Sequence, residues 1–228
     1  MSHDSLSLEN FKGTTRLFPL PNLVVFPHVV QPLHIFESRY VEMLEAALAD
    51  DQLLAMALLL PGWEPDYDGR PPVDPYVCLG RVMSHAPAKD NRYNILLGGI
   101  TRAKVIRELP VKRSFREAEV EILNDIDPDE NNPEVPQLHR DLVSAFRKYI
   151  PDEVIAEKQL SDILDQQSQL GTLTDLISYS LPLELSFRQF LLAEVDVIQR
   201  TKMLLDQLSR QEAQGADDRK FPPDFSAN

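Results

Sequence analysis

The sequence predicts an α+β fold in which a strand-rich half precedes a helical half. Residues from about 16 to 123 fall into short aliphatic runs of strand length, repeatedly cut by proline and charge. Beyond about 124 the apolar residues recur at three- and four-residue spacing, which is the rhythm of a helix face. The polar stretch NDIDPDENNPEVP separates the two patterns. The expected organisation is a flexible segment 1–15, a β domain 16–123, a helical subdomain 124–210 and a disordered polar tail 211–228, in which Gly215, Pro222 and Pro223 fall.

In the first half, RLFPLPNLVVFPHVVQPLHIF carries Pro19, Pro21, Pro27 and Pro32, which suit strand edges and turns but not helix interiors. One helix follows. Tyr40, Met43, Leu44, Ala47 and Leu48 share a face, with Arg39, Glu42, Glu45 and Asp50 around the rest, so one side should pack on the sheet. LLAMALLL at 53–60 reads as a buried strand, followed by strands around 77–84, 92–100 and 102–109. AEVEIL is half-buried, because Ala118, Val120 and Ile122 alternate with Glu119, Glu121 and Leu123. In the second half Leu138, Leu142, Phe146 and Tyr149 mark a helix. TLTD at 172–175 reads as a capping box that opens a helix limited by Pro182. A last helix should run from about Ser186 towards Arg210.

Charge narrows the function classes. The net charge is −13, which repels nucleic acid and anionic membrane at long range. It is unevenly spread: −6 over residues 1–88, +6 over 89–116 and −13 over 117–228. The single cysteine, Cys78, cannot form an internal disulfide, which favours a reducing cytoplasm. The N-terminal MSHDSLSLENFKGTT lacks the pattern of an export signal, and no run approaches the ~18 apolar residues of a membrane span. A cytoplasmic, unanchored protein is expected.

Enzyme motifs are missing. The sequence contains no phosphate-binding G-x-x-x-x-G-K-[ST], no H-E-x-x-H, no G-x-S-x-G and no C-x-x-C. His28 and His34, six apart, share no helix face, and Ser84 beside His85 would point to the opposite side of a strand. Neither a metal nor any other cofactor is expected.

Two stretches offer surfaces. Arg102, Lys104 and Arg107, with Lys112, Arg113 and Arg116, would make a basic patch for RNA or for an acidic protein. Alternatively, if 102–109 pairs antiparallel with 117–123, these cations face Glu117, Glu119 and Glu121 and are neutralised across the ladder; that reading is preferred. The loop PGWEPDYDGRPPVDP is stiffened by proline and offers Trp63 and Tyr67 to a ligand, unless Trp63 simply closes the core.

LFPLPNLVVFP, QPLHIFESRY, LLLPGWE, CLGRV, RYNILLGGITRAKV and FREAEVE, taken in this order, resemble the N-terminal substrate-binding domain of the ATP-dependent protease Lon. The resemblance is close over 16–123, and looser to about 210 through DLISYSLPLELSFRQFLLAEVDVIQR. It implies a PUA-like twisted pseudo-barrel of strands with one helix, then a small helical bundle. Nothing in the sequence corresponds to the Lon ATPase or Ser–Lys peptidase modules. What the resemblance implies is a non-catalytic module that recognises unfolded or damaged polypeptide, presents it to a protease or chaperone partner, and takes part in oligomer assembly. Candidate peptide-binding residues are His34, Phe36, Glu37, Arg39 and Glu42 at the edge of the PLHIF run, with Trp63 and Tyr67; strand addition or apolar contact would hold the peptide. The competing readings are local ion pairing of Glu37 and Arg39, an RNA-binding module using the basic stretch, and an enzyme hidden in the barrel mouth.

Overall fold

In the computed structural model, the described residues are 8, 11–129, 131–150 and 169–213. The chain divides into two compact units between Leu123 and Asn124. The first unit contains the strands β1 (Thr14–Leu20), β2 (Val30–Ile35), β3 (Leu53–Leu58), β4 (Tyr76–Ala88), β5 (Arg92–Glu108) and β6 (Arg116–Leu123), and the helix α1 (Ser38–Leu48). The second contains the helices α2 (Val135–Arg147), α3 (Leu170–Ser180), α4 (Leu185–Ala193) and α5 (Val197–Ala213). The expectations for residues 1–7 and 9–10 of the first segment and for 214–228 of the tail lie outside the described residues; α5 itself continues through 211–213.

The sheet is ordered β2-β5-β4-β3-β1-β6 and closes by a further pairing of β5 with β6. Five strands therefore form a ring, and β2 lies outside it, paired among the described residues to β5 alone. The ring is possible because β5 is one continuous strand where two were expected. Its first half pairs with β2, from Tyr93 to Gly98, and its second half with β6, from Arg102 to Glu108. Register shifts at Leu79/Gly80, Val82/Ser84 and Val105/Arg107 supply the extra coiling that closure of so few strands requires.

A narrow ring has room only for small side chains, and the sequence provides them. Ala55, Ala57, Ala103 and Ala118 alternate with Leu17, Leu53, Val77, Leu79 and Val120 inside it. β1 and β3 are buried on both faces, which is why they read as unbroken apolar runs. Beside them stands α1, whose Tyr40, Met43, Leu44 and Ala47 are buried, with the Phe18 and Tyr40 ring centroids 4.6 Å apart. At Gly99 the chain segment Phe26–Val29 crosses the sheet. Gly99 donates to the Val29 carbonyl (2.8 Å) and accepts from His28 (3.0 Å), and a Cβ there would lie 2.1 Å from the Phe26 oxygen.

In the second unit α2, α3 and α5 pack on one another, and α4 connects. The threonine hydroxyls of Thr174 on α3 and Thr201 on α5 meet at 2.8 Å in the interior. Two sequence expectations are corrected here. Thr172 lies inside α3, which begins at Leu170 after an extended Gln169, so TLTD is not its cap. Asp175 is fully buried and turns to the Arg200 guanidinium (3.2 Å), since a buried cation attracts it more strongly than exposed backbone N–H groups would. The expected single last helix is two helices. The chain is extended at Glu194, Ile126 pairs with Asp196 as an isolated bridge, and the Asp196 carboxylate accepts from the Gln199 N–H (2.9 Å) to cap α5.

Candidate functional site

The β unit offers two neighbouring features: an apolar sheet face and a cavity edged with arginine. The face is the outer side of β2, β5 and β4. Alternation along β2 turns Val30, Pro32 and His34 outward, and Phe36 follows just past its end. The register sets Leu96 between Pro32 and Ser84, and Gly98 between Val30 and Arg81. Gly98 leaves space that Met83 covers, since a Cβ on Gly98 would lie 2.6 Å from the Met83 sulfur. Val30, Phe36, Met83 and Leu96 remain 40–49% exposed. At one end of the face His34 stacks on Phe36, with centroids 6.0 Å apart, and its Nδ1 pairs with the Asn94 side-chain oxygen at 2.8 Å. The outer edge of β2 has no strand partner among the described residues.

One residue beyond Phe36 the chain enters the second feature. Glu37 accepts from the Tyr67 hydroxyl (2.5 Å) and from Arg39 Nε (3.0 Å), and Arg39 donates to the Tyr67 carbonyl (2.9 Å). The Arg39 guanidinium lies over two rings, 4.7 Å from the Tyr40 centroid and 4.6 Å from that of Tyr67. Trp63 meets Tyr67 edge-on at 5.2 Å. Burial, followed by the bond to Glu37, pushes the Tyr67 pKa up. Of this braced group Arg39, Tyr40 and Tyr67 form one wall of a cavity of about 270 Å³, and Arg70, Arg113 and Arg116 line it further on.

The candidate residues are therefore sorted differently by the fold and by the sequence. His34 and Phe36 stand on the sheet face, whereas Arg39 and Tyr67 line the cavity, braced by Glu37 and with Trp63 packed on Tyr67; Glu37 and Trp63 do not themselves line it. Glu42 does not stand at the β2 edge; it accepts from Ser114, in the loop that lines the cavity. The six basic residues do not assemble into one surface. Arg102 and Arg116 are buried, because their positions on β5 and β6 turn them away from solvent. Lys104 faces Glu121, and Arg107 bonds Glu119 at 2.7 Å, so β5 and β6 do neutralise each other across an antiparallel ladder. Lys112 is exposed on the loop beside Arg113.

Arg70 is the residue sequence reasoning missed. It lies in the proline-rich loop, and only the fold brings it to Glu108, 3.0 Å away, where Arg116 also binds. Leu96 and Met83 were likewise hidden, inside runs that read as strands with no outward face singled out. Among the described residues no three His, Cys, Asp or Glu side chains converge as a metal site, and no helix is long and apolar enough to cross a membrane.

Comparison with known proteins places these features in context. Residues 14–210 match the family model of the ATP-dependent protease La (LON) substrate-binding domain. The Lon protease of Heliobacterium modesticaldum is 26% identical over 197 residues, covering 86% of this chain and 24% of that protein. The Lon protease of Brevibacillus choshinensis is 28% identical over 199 residues, with 86% and 24% covered. The chain thus spans about a quarter of the length of these relatives. Among solved structures, the N-terminal domain of a Mycobacterium avium complex Lon protease superposes with a TM-score of 0.67 at 17% identity, over 86% of this chain and 98% of that one. A Lon N-terminal domain protein from Xanthomonas campestris gives 0.63 at 23% identity, over 85% and 97%. The α+β fold is that of the Lon N-terminal domain.

Proposed function

The chain belongs to the Lon substrate-binding domain family, and from that premise we propose that it is a non-catalytic module that holds unfolded polypeptide on the outer face of β2, β5 and β4. The observation that carries this reading is the exposed set Val30, Phe36, Met83 and Leu96, gathered on one sheet face beside a strand edge that has no strand partner among the described residues. Unfolded chain differs from folded protein in offering apolar side chains and unpaired backbone together. This face complements both, with side-chain contact across the sheet and backbone pairing along β2. Pro32 removes one donor from β2, which limits edge-to-edge pairing between copies of the module. The matched region is a substrate-binding domain and includes no catalytic domain, which supports an adaptor that passes clients to a separate protease or chaperone.

The test is capture of a permanently unfolded, carboxymethylated polypeptide, compared with its folded, disulfide-intact form. The expected result is selective capture that survives salt, without cleavage. Phe36→Asp combined with Leu96→Asp should weaken capture at least tenfold, about 1.4 kcal/mol, with the thermal midpoint nearly unchanged because both side chains are already exposed. Equal capture by the double variant would remove the sheet face as the binding surface. Cleavage of the polypeptide would overturn the non-catalytic reading.

A further inference from the structure

We propose that the arginine-lined cavity is a separate binding site for a carboxylate carried on a short apolar body, such as a small carboxylic acid or the C-terminal residue of a polypeptide. Four arginines line the cavity, Arg39, Arg70, Arg113 and Arg116, against one lining carboxylate, Asp68. Three of the four are held in place by charged partners. Glu37 pairs with Arg39 (2.9 Å), and the single carboxylate of Glu108 is shared by Arg70 and Arg116. Arg116 is further fixed by donating to the Pro71 carbonyl (2.9 Å). Arg113 has no carboxylate partner among the described residues; its guanidinium stacks over Phe115, 5.6 Å from the ring centroid. Two guanidiniums sharing one carboxylate, beside a third with none, leave anion-binding capacity on one side of the cavity. A guanidinium fork matches the two oxygens of a carboxylate.

The remaining lining is apolar and asks for something more than a bare anion. Leu59, Pro71, Val111 and Phe115 face the same space. Drug-sized ligands occupy pockets from about 300 Å³ upward, so a cavity of about 270 Å³ is suited to a body the size of one amino acid. Arg39 and Tyr67, held by their bonds to Glu37, keep the site formed before a ligand arrives.

Trp63, the only tryptophan, packs against Tyr67 and supplies the readout. N-acetyl-leucine, N-acetyl-leucinamide and inorganic phosphate are titrated into the full chain while Trp63 fluorescence is followed. Saturable binding of the acid, with the amide and phosphate each at least tenfold weaker, is the expected result. Arg113→Gln should lose at least fivefold in affinity for the acid and Arg113→Lys less. Both variants keep the fold, because Arg113 is exposed. An octapeptide ending in a free leucine separates the sources: binding equal to or tighter than N-acetyl-leucine assigns the site to chain ends, and exclusion of the peptide assigns it to small acids. Equal affinity for acid and amide, equal affinity for phosphate, or no saturation at millimolar concentration would overturn the proposal. Its failure is distinguishable from failure of the polypeptide reading. Arg113→Gln should leave capture on the sheet face unchanged, and the Phe36→Asp, Leu96→Asp pair should leave the acid titration unchanged.

Discussion

The two units handle arginine in opposite ways. In the helical unit Arg200 is wholly enclosed: its Nη1 donates to the Glu194 carbonyl (2.7 Å), its Nη2 to Asp125 (2.5 Å), and its Nε lies 3.2 Å from Asp175. Neither Arg200 nor Asp175 exposes any side chain to solvent. In the β unit Arg39, Arg70 and Arg116 are also braced by carboxylates, but around an open space. An enclosed guanidinium with every partner supplied by its own unit serves architecture. Guanidiniums set around a cavity, with fewer carboxylates than cations, remain available to a ligand.

Removing Arg200 should break that contrast at its stronger end. Arg200→Met takes the cation away from the fully buried Asp175 and frees the Glu194 carbonyl, and loss of one partner of a buried pair costs about 3–5 kcal/mol. Urea melts followed by helical circular dichroism should show that loss. A change below ~1 kcal/mol would mean that water reaches Asp175 and that the pair is not enclosed.

Arg116→Met should cost less, although Arg116 is nearly as buried. Its carboxylate partner Glu108 keeps Arg70 at 3.0 Å and is itself partly exposed, so no charge is left alone. A loss of about 1–2 kcal/mol is expected in the same urea melts, corresponding to charge-assisted hydrogen bonds whose remaining partners can reach water. Equal losses for Arg116 and Arg200 would erase the distinction between open and enclosed arginines.

The strand half was legible because its signals are local. Proline-cut aliphatic runs, the alternation in AEVEIL and the α1 face each depend on neighbours a few residues away, and most lie in elements of the expected kind, the exception being LVVF at 23–26, which is buried between β1 and β2 without being a strand. The opposition of Arg107 to Glu119 could also be read, because antiparallel neighbours close in sequence have few possible registers. Helix ends were read less well. Thr172 and Asp175 fit the capping pattern, but Asp175 serves a charge 25 residues away; the working cap was Asp196 with Gln199 three residues on, a pattern of the same form lying inside what read as one long helix. The cavity was least legible. Arg39 and Tyr67 had been grouped with a peptide edge and Arg113 and Arg116 with a basic patch, and only closure of the ring brings the two sets to one wall. No periodicity encodes that meeting.

The smallest effect sharpens the account of the cavity wall. Tyr67→Phe keeps the ring beneath Arg39 and removes only the hydroxyl that donates to Glu37. At pH 8 the variant should be less stable by about 1 kcal/mol, the size of one net hydrogen bond. The sign of its pH dependence follows from the raised Tyr67 pKa. Burial and the bond to Glu37 both favour the protonated phenol, so its stabilising contribution is complete below the ordinary tyrosine value near 10 and is lost as pH rises through the higher folded value. Tyr40 is raised chiefly by burial, which both proteins share, and only in smaller part by Tyr67, so most of its alkaline loss is common to the two. Urea melts of the two proteins at pH 8 and pH 11 should therefore converge at the higher pH. A gap of constant size would mean that the hydroxyl is not held by Glu37 in solution, and that the cavity wall is not braced before a ligand binds.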